Sequence, residues 1–337
     1  MKLLGIDGGG TKVQGAEIDI SDLSNINIAN PVIERLYSSH TKFNNNFIPA
    51  KLEDQINNKP LSVSERNQEK VILEIIADLI HSLSKNEKIK IAIAMPGIKT
   101  PDKRGIQVMI NGPRMPKFCQ NLEKIIPSLL TPITKIEDDS KMCGLGEEFH
   151  PNGKFKNIKN GYYLGGGTGS AECLKLNGEI ITFDESKEWI GKAWELRFKN
   201  GQTLESTSCM SGINKLLYEG KEKEIEEGVT SLIMERITTV FNGWEDQFII
   251  NRKINKQHSY QKTILERIII GQKLAEFFNS QNGKNIFYSI IKNIEKKIMH
   301  SKNDIKDRLI INNTLNSDLI VLSNLRTSPI IGLGSTL

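Results

Sequence analysis

The sequence predicts an α/β protein made of two similarly built halves, with a ligand cleft between domains. Three observations lead there. A strand, a glycine loop and a second strand occur at "KLLGIDGGGTKVQG" (2–15) and again at "YYLGGGTGSAECLKL" (162–176). The run "KIKIAIAMPG" (88–97) is nearly all apolar, as a strand buried on both faces must be. Segments of helical periodicity separate and follow these strands, the pattern of crossover helices packed on sheets. A chain of 337 residues is long enough to bury two cores, and ligands of such proteins sit in clefts between domains.

Taken in order, residues 2–7 and 12–20 form the first hairpin, by alternation and by the glycines between them. "NNNFIP" (44–49) is a polar loop, and "SERNQEKVILEIIADLIHSLS" (64–84) is a helix with Ser64 as its candidate cap. The apolar strand ends at Pro96 and Gly97. A further strand or loop end lies at Asn111, followed by a turn through Gly112 and Pro113 and then a helix. In "PITKIEDDSKMCGLGEEF" (132–149) a strand delivers Glu137, Asp138 and Asp139 to a helix starting at about Ser140. After the second glycine hairpin, "NG" at 177–178 is a tight turn. From about 184 the pattern is mostly helical, in "SGINKLLY", "VTSLIMERITTVFNGW", "YQKTILERIIIGQKLAEFFN" and "FYSIIKNIEKKIMH". The end, "DLIVLSNLRTSPIIGLGSTL", holds an apolar strand, a polar turn and a small-residue patch.

Composition excludes several classes. The 45 Lys and Arg against 40 Asp and Glu leave a formal charge of +5 spread along the chain, with no basic stripe of the kind nucleic acid requires. The apolar stretch at the start is too short for a signal peptide, and no run is long enough to span a bilayer. Cys119, Cys143, Cys173 and Cys209 form no C-x-x-C pair, which predicts a reduced, cytoplasmic protein without a disulfide framework.

The glycine loops carry the chemistry. Gly8, Gly9 and Gly10, and again Gly165, Gly166, Gly167 and Gly169, leave backbone N–H groups open to a bulky anion. A tight hairpin alone is the competing use, and a fold has little need to repeat so costly a loop for turning only. Thr11 and Thr168 add hydroxyls, Asp7 is an oxygen ligand for Mg²⁺ or its waters, and Lys12 faces either phosphate or solvent. The loops fit neither G-x-x-x-x-G-K-[ST] nor a dinucleotide fingerprint, since a strand follows each. Asp139, at a strand end beside a helix start, is placed to take a proton from an attacking hydroxyl. Capping of the helix is an equal alternative for the Asp138–Asp139 pair.

Together "GIDGGGTK" (5–12), "AMPG" (94–97), "NGPRMP" (111–116), "EDDSKMCGLGE" (137–147) and "LGGGTGS" (164–170) resemble the ROK family of sugar kinases and repressors, within the group of actin- and hexokinase-like ATPases. The similarity runs through about residue 212 and returns weakly at 319–335. It implies a two-domain actin/hexokinase-like, ribonuclease H-like fold divided as 1–115 plus 319–337 and 116–318. It implies ATP and Mg²⁺ as cofactors, with Asp7–Lys12 and Gly165–Gly169 as the phosphate loops and Asp139 as the catalytic base. Asp138 stands where the family has a sugar-binding Asn, which exchanges an amide donor for a second carboxylate. Asn111 matches another sugar-contacting Asn.

"AWELRF" (193–198) keeps Glu195 as a sugar ligand but has Arg197 and Phe198 where the family has Gly and His, and Glu205 is a second sugar-contacting candidate. The family's Cys-rich stretch is absent between 198 and 204, so no zinc is expected. The Gly-Gly-Gly turn that borders the adenosine in the family has no counterpart between 279 and 318. Trp189 and Trp194 suit core packing better than stacking on a sugar.

The expected activity is transfer of the γ-phosphoryl group of ATP to a hydroxyl of a hexose or N-acetylated hexose. A small-molecule sugar is the expected partner, nucleic acid and membrane are not, and the resemblance implies a homodimer. Two alternatives stay open: a non-catalytic sugar-binding or regulatory protein on the same scaffold, and a kinase or ATPase for another small molecule. The chain opens directly on its first strand, which argues against the repressor form.

Overall fold

The computed structural model describes residues 1–301 and 303–337. They divide into two compact units, 1–151 with 328–337, and 152–327. The sequence places the division after 115 and after 318. Two contacts move it. The helix that follows Asp138 packs on the C-terminal helix Ser328–Gly334, and the strand at 320–322 joins the second sheet.

In the first unit, β1 (Lys2–Gly8), β2 (Lys12–Asp22), β3 (Asn25–Ile28), β4 (Ile33–Leu36), β5 (Ile89–Ala94) and β8 (Ile136–Glu137) form one sheet, while β6 (Ile98–Lys99) and β7 (Ile106–Val108) pair separately. The order is β3-β2-β1-β5-β8, with β4 also on β2. β1, β5 and β8 are parallel and β2 is antiparallel to β1. The helices are α1 (Leu52–Ile56), α2 (Val63–Ser84), α3 (Phe118–Ile125) and α4 (Asp139–Phe149). The cap of α2 is Ser62, two residues before the sequence-predicted Ser64: Ser62 accepts from Glu65 N (3.1 Å) while Glu65 accepts from Ser62 N (2.9 Å), a complete capping box. The buried face of α2, including Ile72, Ile76, Leu79 and Ile80, packs on β2, β4 and β1.

In the second unit, β9 (Gly161–Gly166), β10 (Ser170–Leu176), β11 (Glu179–Thr182), β12 (Arg267–Ile270) and β15 (Ile320–Leu322) give the order β11-β10-β9-β12-β15, and β13 (Ile310–Ile311) pairs with β14 (Thr314–Leu315). Three antiparallel strands followed by two parallel ones repeat the first sheet, so the duplicated hairpin marks a duplicated topology. Asn177 (φ +52°) and Gly178 (φ +90°) make the predicted tight turn between β10 and β11, both left-handed as a type I′ hairpin turn requires.

The helices are α5 (Glu205–Ser208), α6 (Met210–Tyr218), α7 (Glu222–Asn242), α8 (Gln272–Asn279), α9 (Lys284–Met299) and α10 (Asn303–Leu309). β12 lies inside a stretch whose spacing predicts helix throughout. Its three consecutive isoleucines are buried between β9 and β15, where β-branched side chains pack well. Among the described residues no helix is long and apolar enough to cross a membrane.

Candidate active site

Parallel pairing assembles the first half of the site. Asp7 lies opposite Ala94, and Ala94 opposite Glu137, so the C-terminal ends of β1, β5 and β8 bring the first glycine loop, the Met95–Gly97 turn and Asp138–Asp139 to one edge of the sheet. That edge is where ligands of α/β sheets bind. α4 is fixed behind it by close approach of the C-terminal helix: a Cβ on Gly146 would meet Ser328 O at 2.1 Å, and one on Gly332 would meet Met142 O at 2.0 Å.

At the start of α4 the two neighbouring carboxylates have separate tasks. Asp138 is the helix cap, accepting from Lys141 N at 2.9 Å and from the Ser140 hydroxyl. Asp139 is the first helical residue, so capping, an alternative open for both in the sequence, falls to Asp138. Burial, and then the Asp138 charge, push the Asp139 carboxyl up to about 6, while the Lys99 ammonium pulls it down. Lys99 leaves no signature in the sequence. It donates to Met95 O (2.6 Å) and Gly97 O (2.7 Å), which hold it in the turn after β5.

In the first hairpin Gly9 N donates to Lys12 O at 2.8 Å. None of Gly8, Gly9 and Gly10 is in the left-handed region, so sharp turning is not why they are glycines. A Cβ on Gly8 would strike Met95 Sδ at 2.0 Å, whereas one on Gly9 or Gly10 would meet nothing closer than 3.5 or 3.7 Å. Asn111 lies beside Gly10, its Cβ 3.7 Å from where a Cβ of Gly10 would be. The turn carrying Asn111 is anchored by buried Arg114, which grips Glu65 at 2.7 and 2.8 Å and holds that carboxyl below its usual range. Lys12 is ion-paired with Glu34.

Asp7 accepts from the Gln14 side-chain amide at 3.3 Å. Burial, and then the Asp7 charge, raise the pKa of the Tyr37 phenol, whose hydroxyl is buried with no hydrogen-bond partner. Among the described residues no group of three or more His, Cys, Asp or Glu side chains is placed to hold a metal. A half-buried carboxylate at the strand end, near the Tyr37 hydroxyl, suits Mg²⁺ carried on phosphate oxygens with waters, the usual mode for that ion.

The second hairpin is tied down from several sides. Gly166 has φ +144° and Gly167 N donates to Gly169 O at 3.1 Å. Ser211 N donates to Gly167 O at 3.1 Å, and the Ser211 hydroxyl and Cys209 Sγ donate to Thr168 O at 2.5 and 3.5 Å. Ser170 N donates to Glu205 Oε1 at 2.9 Å, while Ser170 Oγ is buried without a partner. Glu205 thereby positions the loop.

Glu195 is also engaged. It accepts two bonds from Arg252 (2.7 and 2.8 Å) and one from Lys192 N (2.8 Å), which outweigh burial and lower its pKa. Behind it, buried Glu172 accepts from Ala193 N at 2.8 Å and from Arg236 at 2.7 Å. Arg197 pairs through its backbone with Ile249, Phe198 packs edge-on to Phe248, Trp189 stacks on His258, and Trp194 is exposed.

β12 ends in Gly271–Gln272–Lys273 at the start of α8, with Gln272 at φ +54°. Ile270 pairs with Leu164, so this turn stands beside the second glycine loop. It is a strand-ending turn with one glycine, upstream of residues 279–318. The signal that finds it is "RIII" followed by Gly271.

These features define a class: a two-domain α/β fold with one glycine hairpin on each repeated sheet, the fold of ROK-family proteins. The chain is similar to the inorganic polyphosphate/ATP-glucomannokinase of Arthrobacter sp. strain KM (13% identity, TM-score 0.56, covering 98% of this chain and 96% of that one). A ROK family transcriptional regulator homologous to the E. coli MLC protein gives 12% identity and TM-score 0.59 over 99% of this chain and 78% of that one. The ROK family glucokinase of Streptomyces griseus, in complex with glucose and AMPPNP, gives 11% and 0.52 over 100% and 99%. At these identities the likeness is one of fold. No family model and no curated protein matches the chain.

Proposed function

We propose that the protein is a cytoplasmic ROK-type kinase that transfers the γ-phosphoryl group of ATP to a hydroxyl of a hexose or N-acetylated hexose. Asp139 carries the reading: a half-buried carboxyl with its pKa raised to about 6 is ionised at neutral pH yet basic enough to accept a proton. Asp139 takes the proton of the attacking hydroxyl as the new O–P bond forms. Gly8–Thr11 and Gly165–Gly169 present N–H groups to the phosphates, Asn111 orients the acceptor, and Asp138 sets the helix start from which Asp139 acts. Asp7 would hold Mg²⁺, which on binding neutralises charge on the phosphate oxygens. The turn at Gly271–Gln272 borders the adenosine, and the family's usual homodimer is carried over with the reading.

One observation favours a second acceptor class. Glu195 and Glu205, both expected to hold sugar hydroxyls, are bonded to Arg252 and Ser170. A small molecule that needs fewer carboxylate contacts than a hexose therefore belongs in the same trial.

The test is ADP release with MgATP and glucose, mannose, fructose, N-acetylglucosamine or N-acetylmannosamine. Turnover with one sugar should fall by about 10²–10⁴-fold in Asp139→Asn with the fold intact. In the active protein kcat/KM should decline as pH falls through about 6, because protonated Asp139 cannot act as base. No turnover, together with no MgATP binding by calorimetry, would remove the kinase reading.

A further inference from the structure

We propose that Lys273 binds the phosphate chain of the nucleotide, a role that rests on the kinase reading above. Lys273 stands in the first turn of α8, just after β12. Its stem lies against the second hairpin, with Cδ 3.8 Å from where a Cβ of Gly167 would be. The ammonium is two bonds beyond Cδ, about 2.5 Å, and reaches the space facing the loop.

Three sources of positive potential meet at this edge. The N–H groups of Thr168 and Gly169 have no protein acceptor among the described residues. α8 begins at Gln272 with no side-chain cap on its first N–H groups, which adds the positive end of its dipole. The third is Lys273 itself, exposed and in no ion pair among the described residues. The nearby acid on its own helix, Glu276, is taken by Arg326 at 3.1 Å. An anion on the loop would give the ammonium its partner, and a charge-assisted bond of this kind is among the stronger polar contacts.

The experiment is calorimetry on the full chain with MgATP, MgADP and adenosine, comparing wild type with Lys273→Met and Lys273→Arg. Lys273→Met keeps the stem and removes the charge. It should weaken MgATP and MgADP about tenfold and leave adenosine unchanged, while Lys273→Arg restores most of the loss. Unchanged MgATP affinity in Lys273→Met, or an equal loss for adenosine, would overturn the proposal and leave the kinase reading standing. Wild-type protein that binds none of the three would overturn both.

Discussion

The hairpin at Gly8–Thr11 is held by backbone bonds, Gly9 N to Lys12 O and Tyr37 N to Thr11 O. The hairpin at Gly165–Gly169 is also gripped by Glu205, Cys209 and Ser211. The two share a sequence pattern and a sheet topology, yet their glycines answer to different constraints. In the first, Gly8 makes room for Met95 while Gly9 and Gly10 leave a bare surface. In the second, Gly166 occupies a backbone conformation closed to other residues. Substitutions in the second loop should therefore act first on stability, and those at the open end of the first should act on ligand affinity.

The largest expected difference comes from Gly166→Ala. Its Cβ would lie 2.2 Å from Gly169 O at φ +144°, and the loop cannot relieve that without moving. Urea unfolding should show a loss of about 2–4 kcal/mol; an unchanged midpoint would mean the second loop is as loosely held as the first.

Glu205→Ala should cost less, about 1–2 kcal/mol, by stranding Ser170 N. Glu205→Gln keeps an acceptor and sharpens the comparison through pH. Burial, with help from Glu172, raises the Glu205 pKa against the opposing pull of the Ser170 N–H. A carboxyl whose folded pKa lies above its unfolded one costs stability once ionised, so the wild type loses ground as pH rises through the folded value. The glutamine variant should gain on wild type at pH 7.5, and the gain should fade near pH 4.

Gly10→Ala should change stability least, within about 0.5 kcal/mol, since its Cβ would meet nothing closer than 3.7 Å. MgATP affinity should nevertheless fall several-fold, because a methyl group on that surface keeps phosphate from the backbone. Equal affinity would show that the first loop does not approach the anion closely.

Much of this arrangement is legible in local pattern. Alternation and glycine placement predict both hairpins, and Asn177–Gly178 predicts its turn because few residues accept two left-handed positions in succession. The strand-to-helix step at Glu137–Ser140 is readable for the same reason, as a change of period from two to three or four. β12 is not readable that way. Its flanks continue a helical spacing, and only burial between β9 and β15 makes "RIII" a strand.

The sequence by itself determined the duplicated hairpins, the α/β class and the position of Asp139 at a strand end, because backbone preference and burial period are encoded within about ten consecutive residues. Only the tertiary structure decided which charge meets which: Lys12 with Glu34, Glu65 with Arg114, Glu195 with Arg252, Glu205 with the Ser170 N–H. Those partners lie 22 to 57 residues apart, and no local pattern fixes where the chain will bring them. The same pairings separate a carboxylate available for chemistry from one spent on holding a loop.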